Sequence, residues 1–286
     1  MPLIQHILFP FDFSQPSVLA APFVQAVAER FKARLTLLSV VPPIWEAPPT
    51  GMPVLAATEE DKVEQALKSR LDAALPEQFA GLCVQRVTDY GDPALRIMEF
   101  AHANAVDLIM MPTHGFGLFR SLLIGSVTAK VLHDAKCAVW TATHAEEQKS
   151  RHAPKTILCA VDGSPKTPEL IQWAAEFGQR MGAAVKLLHV VPPISDLLVV
   201  GAERELQEQM REQARSKIDG QQRSAGVELP LRVAVGPIAD TLTEEARQEA
   251  ADLIVIGRGS IQATLGRLRT HAYAIVQRSP CPVVSV

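Results

Sequence analysis

Short apolar runs alternate along the chain with longer segments of helical periodicity. Residues 6–11 form the first apolar run, and Ser14 and Pro16 beyond it suit the cap and first turn of a helix that should extend to about Phe31. The runs are apolar throughout, which is typical of strands buried on both faces of a parallel sheet. The pattern therefore predicts an α/β fold in which right-handed crossovers join strands and helices into doubly wound sheets.

The same reasoning assigns five strands to each half of the chain. In the first half the predicted strands are 6–11, 35–41, 82–88, 107–111 and 137–141, with further helices at 59–75, 93–103 and 126–133. In the second half the predicted strands lie near 156–161, 185–191, 231–235, 253–256 and 282–286. Asp107 and Asp252, which precede the fourth strand of each half, are predicted to cap or terminate the helix before it. Ser164 is predicted to act as a helix cap, as Ser14 does.

The two halves are copies of one module. Residues 34–44 return almost intact as residues 184–194, and residues 91–109 return as residues 236–254. A charged segment without large apolar residues, 143–154, connects the copies. These features predict two domains in tandem, residues 1–143 and residues 154–286, each with its own doubly wound parallel five-stranded sheet.

Composition excludes several classes of protein. The 286 residues include 28 Lys and Arg against 31 Asp and Glu, so no basic excess attracts nucleic acid. Four singly placed cysteines indicate neither a disulfide framework nor a zinc site. No apolar run approaches the roughly 18 residues that span a bilayer, and no basic residue precedes the N-terminal apolar run. We therefore expect a cytoplasmic protein with no nucleic-acid or membrane partner.

Glycines after the fourth strand of the first copy predict a phosphate site. Gly115 and, ten residues later, Gly125 and Ser126 bracket a loop that leads into a helix. Backbone N–H groups of such a loop and of the helix N-terminus can converge on an anion, and the missing Cβ atoms let phosphate oxygens approach. Asp12 and Val40 end strands one and two, so in a doubly wound sheet they lie at the same edge as this loop.

These residues resemble the nucleotide-binding motif of the universal stress protein family, in its tandem two-domain form. Nucleotide-binding members carry Gly-x2-Gly-x9-Gly-Ser/Thr after strand four, an Asp after strand one and an adenine-contacting residue at the end of strand two. The resemblance implies a Rossmann-like fold of the adenine nucleotide alpha hydrolase type. It assigns the first-copy site to Phe11, Asp12, Val40, Met111, Thr113, His114, Gly115, Gly125, Ser126 and Val127. Pro112 takes the place of the first glycine and removes one backbone N–H from the cradle.

The second copy departs from this motif. Gly257 keeps the first glycine, but Ser260 replaces the second, and residues 266–270 stand where the Gly-Ser turn is expected. Arginines in this stretch either hold phosphates by charge or form solvated surface, so the second copy is either free of ligand or adapted to bind a nucleotide by side chains. Its candidate residues are Val161, Asp162, Val190, Gly257, Arg258, Arg269 and Thr270.

The resemblance implies an adenine nucleotide, ATP, with Mg2+ or Mn2+ at the phosphates and a regulatory or protective role under stress. It also implies that the fifth strands of the two copies pair across a pseudo-twofold axis within the chain, and that two chains associate further as a homodimer. Two alternatives remain open. One is an interaction scaffold of the same fold that has lost nucleotide binding. The other is a hydrolase or transferase acting on a nucleotide, although the sequence signals no nucleophile or carboxylate pair near His114, and we expect at most slow hydrolysis of ATP.

Overall fold

The computed structural model describes residues 4–42, 57–114, 124–142, 153–194, 202–258 and 267–286. The chain divides into two compact units, residues 1–139 and residues 140–286. This division falls within a few residues of the predicted connection, whose limits at 143 and 154 remain a prediction.

The first copy is a parallel sheet with alternating helices. Its elements are β1 (His6–Pro10), α1 (Gln15–Phe31), β2 (Arg34–Val41), α2 (Ala57–Asp72), β3 (Val84–Tyr90), α3 (Pro93–Ala103), β4 (Leu108–Pro112), α4 (Ser126–Asp134) and β5 (Ala138–Ala142). The strand order is β3-β2-β1-β4-β5, and β1 pairs in parallel with both β2 and β4. β1 and β4 are buried along their whole length, which explains their uninterrupted apolar sequence.

The second copy repeats this arrangement. Its elements are β6 (Thr156–Ala160), α5 (Thr167–Met181), β7 (Ala184–Val191), α6 (Ala202–Ala225), β8 (Leu231–Val235), α7 (Ile238–Gln248), β9 (Leu253–Ile256), α8 (Arg267–Arg278) and β10 (Val283–Ser285). The strand order is β8-β7-β6-β9-β10, with parallel pairing of the four neighbouring pairs. The predicted fold class, two doubly wound parallel sheets in tandem, is confirmed.

The two copies begin their first helix differently. Ser14 is the N-cap of α1, and its hydroxyl accepts a hydrogen bond from Ser17 N at 3.4 Å, as predicted. In the second copy the helix begins later, at Thr167, and Ser164 offers only its backbone carbonyl, which accepts from Thr167 N at 3.0 Å. The prediction that Ser164 caps its helix is therefore wrong.

Asp107 and Asp252 do not cap the preceding helices, contrary to prediction. Asp107 Oδ2 accepts from the backbone N–H groups of Gln5 and His6, at 2.8 and 2.9 Å. Asp252 Oδ2 makes the same pair of contacts in the second copy, with residues 155 and 156 at 2.9 and 3.0 Å. The first N–H groups of a buried strand need acceptors, and these carboxylates satisfy them by joining the start of β1 to β4 and of β6 to β9.

Two predicted elements shift along the sequence. α2 ends at Asp72 rather than at residue 75, and β3 occupies residues 84–90 rather than 82–88. Leu75 adopts a left-handed backbone with φ 51°, and Leu82 N donates to Phe79 O within a turn, so neither residue continues a regular element. The apolar pattern could not reveal this, because Phe79 is buried although it lies in the turn.

The stability of the first copy should depend on pH through His6. His6 is buried, its Nδ1 lies 3.0 Å from Asn104 O and its Nε2 lies 2.8 Å from Thr36 Oγ1. A carbonyl can only accept, so Nδ1 carries the proton and the neutral ring is satisfied on both sides. Burial, partly offset by the hydrogen bond to Asn104, lowers the pKa of His6 below its usual 6.5.

The unfolded chain therefore takes up a proton on this side chain at pH values at which the folded chain remains neutral. The free energy of unfolding should decline as pH falls below 6.5, until the folded histidine is also protonated. Urea titrations at about pH 7.5 and about pH 5 should show a smaller decline for His6→Gln than for the parent. Equal declines would contradict this role of His6.

Candidate functional site

The carboxyl ends of β2, β1 and β4 meet at one edge of the first sheet. Because β1 lies between β2 and β4, this is the point at which successive connections leave in opposite directions, and ligand crevices form there in doubly wound sheets. Continuing the two registers beyond the last paired residues places Val40, Asp12 and Thr113 in one row across the three strands. Three residues that the sequence predicts for the site are thus brought together.

Asp12 is held in a fixed orientation at the centre of this row. Its Oδ1 accepts from Ser14 N at 3.0 Å, from Ser14 Oγ at 2.6 Å and from Ser17 Oγ at 2.6 Å. Its Oδ2 makes no hydrogen bond within the described residues, and the side chain is exposed. The carboxylate can therefore accept a hydrogen bond from a hydroxyl or amino group of a ligand without giving up its structural contacts.

Apolar side chains lie beside this carboxylate. Met111, only 6% exposed, belongs to a buried cluster of β1, β2, α3, β4, α4 and β5. Val40 and Val127 are half-buried and pack against the same cluster. The two valines offer the kind of apolar surface on which a flat ring binds, and the cluster that contains Met111 supports them. Phe11, by contrast, is buried, and its ring lies 5.6 Å from that of Phe9, so it serves the core.

The N-terminus of α4 lies directly against the end of β4. Gly125 is the N-cap residue, and its N–H donates to Thr113 O at 2.8 Å. A Cβ atom at Gly125 would lie 3.2 Å from Thr113 O, which is closer than most side chains allow, and 3.8 Å from His114 Cα, which is an ordinary contact. The first-turn N–H groups of Ser126 and Val127 have no acceptor inside the helix, and no acidic residue occupies this turn. This is a geometry suited to an anion.

The residues after β4 hold one another in place. Thr113 is buried, and its Oγ1 lies 2.9 Å from His114 Nδ1. Pro112 O accepts from Thr128 Oγ1 at 3.1 Å, so α4 also contacts the residue that replaces the first glycine. Gly115 lies outside the described residues. Among the described residues, no group of three or more His, Cys, Asp or Glu side chains could hold a metal ion.

In the second copy the equivalent row is formed by Val190, Asp162 and Arg258. Asp162 Oδ1 accepts from Ser164 N at 2.9 Å and from Thr167 Oγ1 at 3.1 Å, which repeats the arrangement around Asp12. Burial would raise the pKa of Asp162, but hydrogen bonds from Ser164 and Thr167 outweigh burial and hold this pKa below its usual value. The carboxylate is thus charged at neutral pH.

Arg258 stands where the first copy has Thr113. Its backbone N–H donates to Val286 O at 3.0 Å, and its Nη2 donates to Ser285 O at 3.3 Å. Part of the guanidinium is therefore committed to the end of β10. Gly257 is exposed, and a Cβ there would lie 3.3 Å from Leu170 Cδ2. Arg269 and Thr270 lie in α8, while Ser260 is outside the described residues.

A left-handed turn follows the aspartate in both copies. Phe13 has φ 62° and Gly163 has φ 70°, so the backbone conformation is the same although only the second copy uses glycine. The Phe13 ring lies 5.0 Å from that of Phe11, and the Arg70 guanidinium lies 4.1 Å over its face. These contacts offset the strain of a side chain in this conformation, about 1–2 kcal/mol.

Sequence reasoning missed the hydroxyl groups that orient the aspartates. Ser17 and Thr167 both donate to the aspartate of their own copy. A signal was present, because Asp-x-Ser-x-x-Ser in the first copy recurs as Asp-x-Ser-x-x-Thr in the second. The contact of Thr128 with Pro112 had no such signal.

Comparison with known proteins identifies the family. The sequence profile of the universal stress protein family matches residues 3–142 and again residues 154–286, so the chain belongs to that family. A universal stress protein of Mycolicibacterium smegmatis is 28% identical over 98% of this chain and 96% of its own length. A universal stress protein of Thermus aquaticus is 31% identical over 48% of this chain and 97% of its own. The predicted tandem family membership is confirmed.

Solved structures agree on the fold. A universal stress protein from Archaeoglobus fulgidus superposes with a TM-score of 0.65 at 20% identity, covering 98% of this chain and 95% of that one. A functionally unknown protein from Pseudomonas aeruginosa gives a TM-score of 0.66 at 17% identity, covering 99% and 92%. None of the helices in the described ranges is long and apolar enough to cross a membrane.

Proposed function

We propose that this chain binds an adenine nucleotide, ATP, chiefly in its first copy. Its proposed role is regulatory or protective in the stress response, and its proposed location is the cytoplasm. The observation that carries the proposal is the contact of Gly125 N with Thr113 O, at 2.8 Å. This contact brings the α4 N-terminus beside the row of Val40, Asp12 and Thr113. An anion-binding helix end, a carboxylate and an apolar surface are what a nucleotide requires together.

Each part of the nucleotide has a proposed partner. The adenine ring would rest on Val40, Met111 and Val127, and Asp12 Oδ2 would accept a hydrogen bond from a hydroxyl or amino group. The phosphates would meet the first-turn N–H groups of α4 and the Ser126 hydroxyl. Mg2+ or Mn2+ would neutralise the phosphates when bound, and we assign it no protein ligand.

Hydrolysis would be slow. His114 Nδ1 lies 2.9 Å from Thr113 Oγ1, so the contact described for this ring is with a hydroxyl group. The nucleotide is thus proposed as a regulatory ligand rather than a substrate. Pairing of the fifth strands within the chain, and association of two chains, stay predictions.

The rival function is an interaction scaffold that binds no nucleotide. An assay for nucleotide released from freshly purified, denatured protein distinguishes the nucleotide-binding function from the scaffold function. Bound ATP or another adenine nucleotide supports the proposal. If the purified chain carries none, and calorimetry with added ATP gives no heat of binding, the scaffold is the better account.

We predict at most one tight adenine-nucleotide site per chain, because Arg258 replaces Thr113 and is partly committed to β10 in the second copy. Asp12→Ala should weaken ATP binding at least tenfold, about 1.4 kcal/mol. Asp162→Ala is the matched control, since it removes the equivalent carboxylate, and it should leave the tight site unchanged. Calorimetric titration measures both affinity and stoichiometry. Two sites of matching affinity would contradict the asymmetry.

A further inference from the structure

A cavity of about 700 Å3 follows β8, the edge strand of the second sheet. Residues 230–235 line it along the strand, α6 lines it with Arg211 and Arg215, and α7 lines it with Thr241, Glu245 and Glu249. In the described part of the chain, β8 pairs with β7 alone. We call this cavity the β8 groove. It also reaches residues 186–188 of β7 and Leu158 of β6, and its lining does not include the carboxyl ends of β6 and β9 where the second candidate site would be.

The backbone of β8 presents hydrogen-bonding groups to this groove. Leu187 N donates to Pro230 O at 2.8 Å and Gly236 N donates to Val191 O at 3.1 Å, which fixes the parallel ladder at both ends. Alternate residues of a parallel strand bond to the same neighbour, so Val233 and Val235 direct their N–H and C=O groups away from β7. Such an edge can accept another strand. Val235 is 39% exposed and Val233 is 4% exposed, so Val235 is the accessible end of this edge.

Comparison of the copies shows that this region has changed its chemistry. Phe100 and Val87 pack against the buried cluster of the first copy, and the equivalent residues of the second copy are Glu245 and Arg232. The Glu245 side chain is only 9% exposed, and its Oε2 lies 2.6 Å from Arg232 Nε. A large apolar side chain has thus been replaced by a buried carboxylate beside the groove, and its partner Arg232 is 57% exposed. Without Phe100, the second copy lacks the ring that fills this space in the first.

The charges that line the β8 groove are predominantly positive. Glu245 is already paired with Arg232, and Glu249 is paired with Lys186. The cationic wall on the other side of β8 is formed by the two arginines of α6. Acidic groups are therefore the complementary charge for a ligand in this groove.

Arg211 and Arg215 are spaced to meet a strand. Residues four apart on a helix share a face and lie about 6 Å apart along its axis. Alternate residues of a strand lie about 6.6–6.8 Å apart and point to the same side. Arg211 Nε is buried and has no hydrogen-bond partner among the described residues, while its Nη1 lies 3.1 Å from Glu208 on the exposed side of α6. Within the described ranges, Arg215 Nη1 donates one long hydrogen bond, to Leu231 O at 3.4 Å.

We propose that the β8 groove binds an extended acidic peptide segment of a partner protein, which adds to β8 as a further strand. Backbone groups of Val233 and Val235 pair with the peptide, and two acidic side chains at alternate positions meet Arg211 and Arg215. This site is independent of the nucleotide site of the first copy.

The probe is a fluorescein-labelled peptide with glutamate and valine alternating over eight residues, and its binding to the full chain is followed by fluorescence anisotropy. Arg215→Glu and Arg211→Glu should each weaken binding at least tenfold, and added salt should weaken it further. Arg247→Glu is the matched control, because Arg247 is an exposed arginine of α7 that does not line the groove, and it should change the affinity less than twofold. Far-UV circular dichroism checks that each variant is folded.

A second peptide carries proline at the positions whose N–H groups would pair with β8, and it should bind at least tenfold more weakly. Amide exchange of Val233 and Val235 should slow when the first peptide binds. If the first peptide does not bind, the proposal is overturned. Equal binding of both peptides overturns strand addition and leaves only charge attraction. Displacement of the peptide by glutarate at equal concentration would show a small dicarboxylate site instead.

Discussion

Gly125→Val should weaken ATP binding at least tenfold, about 1.4 kcal/mol in binding free energy. The backbone at Gly125, with φ −57° and ψ 146°, suits any residue, so the substitution introduces no backbone strain. Its Cβ would lie 3.2 Å from Thr113 O, and the valine methyl groups would extend into space beside the first-turn N–H groups of α4. The main effect should therefore fall on the phosphates, and the close contact with Thr113 O adds a smaller local strain. Isothermal titration calorimetry measures it.

Gly257→Val is the control for this prediction. It places valine at the end of β9, at the second-copy position equivalent to Pro112, where the proposed tight site is absent, and it should leave the ATP affinity unchanged. Thermal melting of both variants separates loss of binding from loss of structure. If Gly125→Val binds ATP as tightly as the parent does, the assignment of the phosphates to the α4 N-terminus is wrong.

Gly178→Ala should lower the free energy of unfolding by about 1–3 kcal/mol, although alanine favours helices. A Cβ at Gly178 would lie 2.3 Å from Val185 Cγ2 and 3.2 Å from Ala183 O, so α5 or β7 would have to move. Gly220→Ala is the opposite case, because the nearest atom to its Cβ is the far end of Arg223 at 3.8 Å. That substitution should stabilise the chain by about 0.5–1 kcal/mol. Urea titration followed by circular dichroism measures both.

The sequence of the first copy suggests a second substitution that should restore the stability lost in Gly178→Ala. It has Ala28 where the second copy has Gly178, and Leu35 where the second copy has Val185. The double variant Gly178→Ala/Val185→Leu should recover most of the stability, because leucine carries its bulk one carbon further from the backbone. Equal effects of Gly178→Ala and Gly220→Ala would show that helix propensity, and not the packing of α5 on β7, decides the outcome.

Local patterns in the sequence were sufficient for most of the fold. β1 and β4 are buried from end to end, and a strand without an exposed face leaves an unbroken apolar run. Ser14 and Pro16 marked the start of α1 because the cap is made within three residues of the chain. Where the partner is distant the same reasoning failed. Asp107 looks like a helix end by position, yet it binds backbone groups about a hundred residues away.

The features of the candidate site also fall into two groups, those that local sequence patterns predict and those that depend on distant contacts. The sequence by itself determined the tandem repeat, the family motif and the residue types at the strand ends, because each of these is a local or repeated pattern. Only the tertiary structure decided that Ser17 fixes Asp12, that Gly125 contacts Thr113, and that Glu245 pairs with Arg232 beside an edge strand. These contacts depend on strand order, on register and on which helix covers which strand. Such relations arise from packing between segments far apart in the chain, and no local periodicity encodes them.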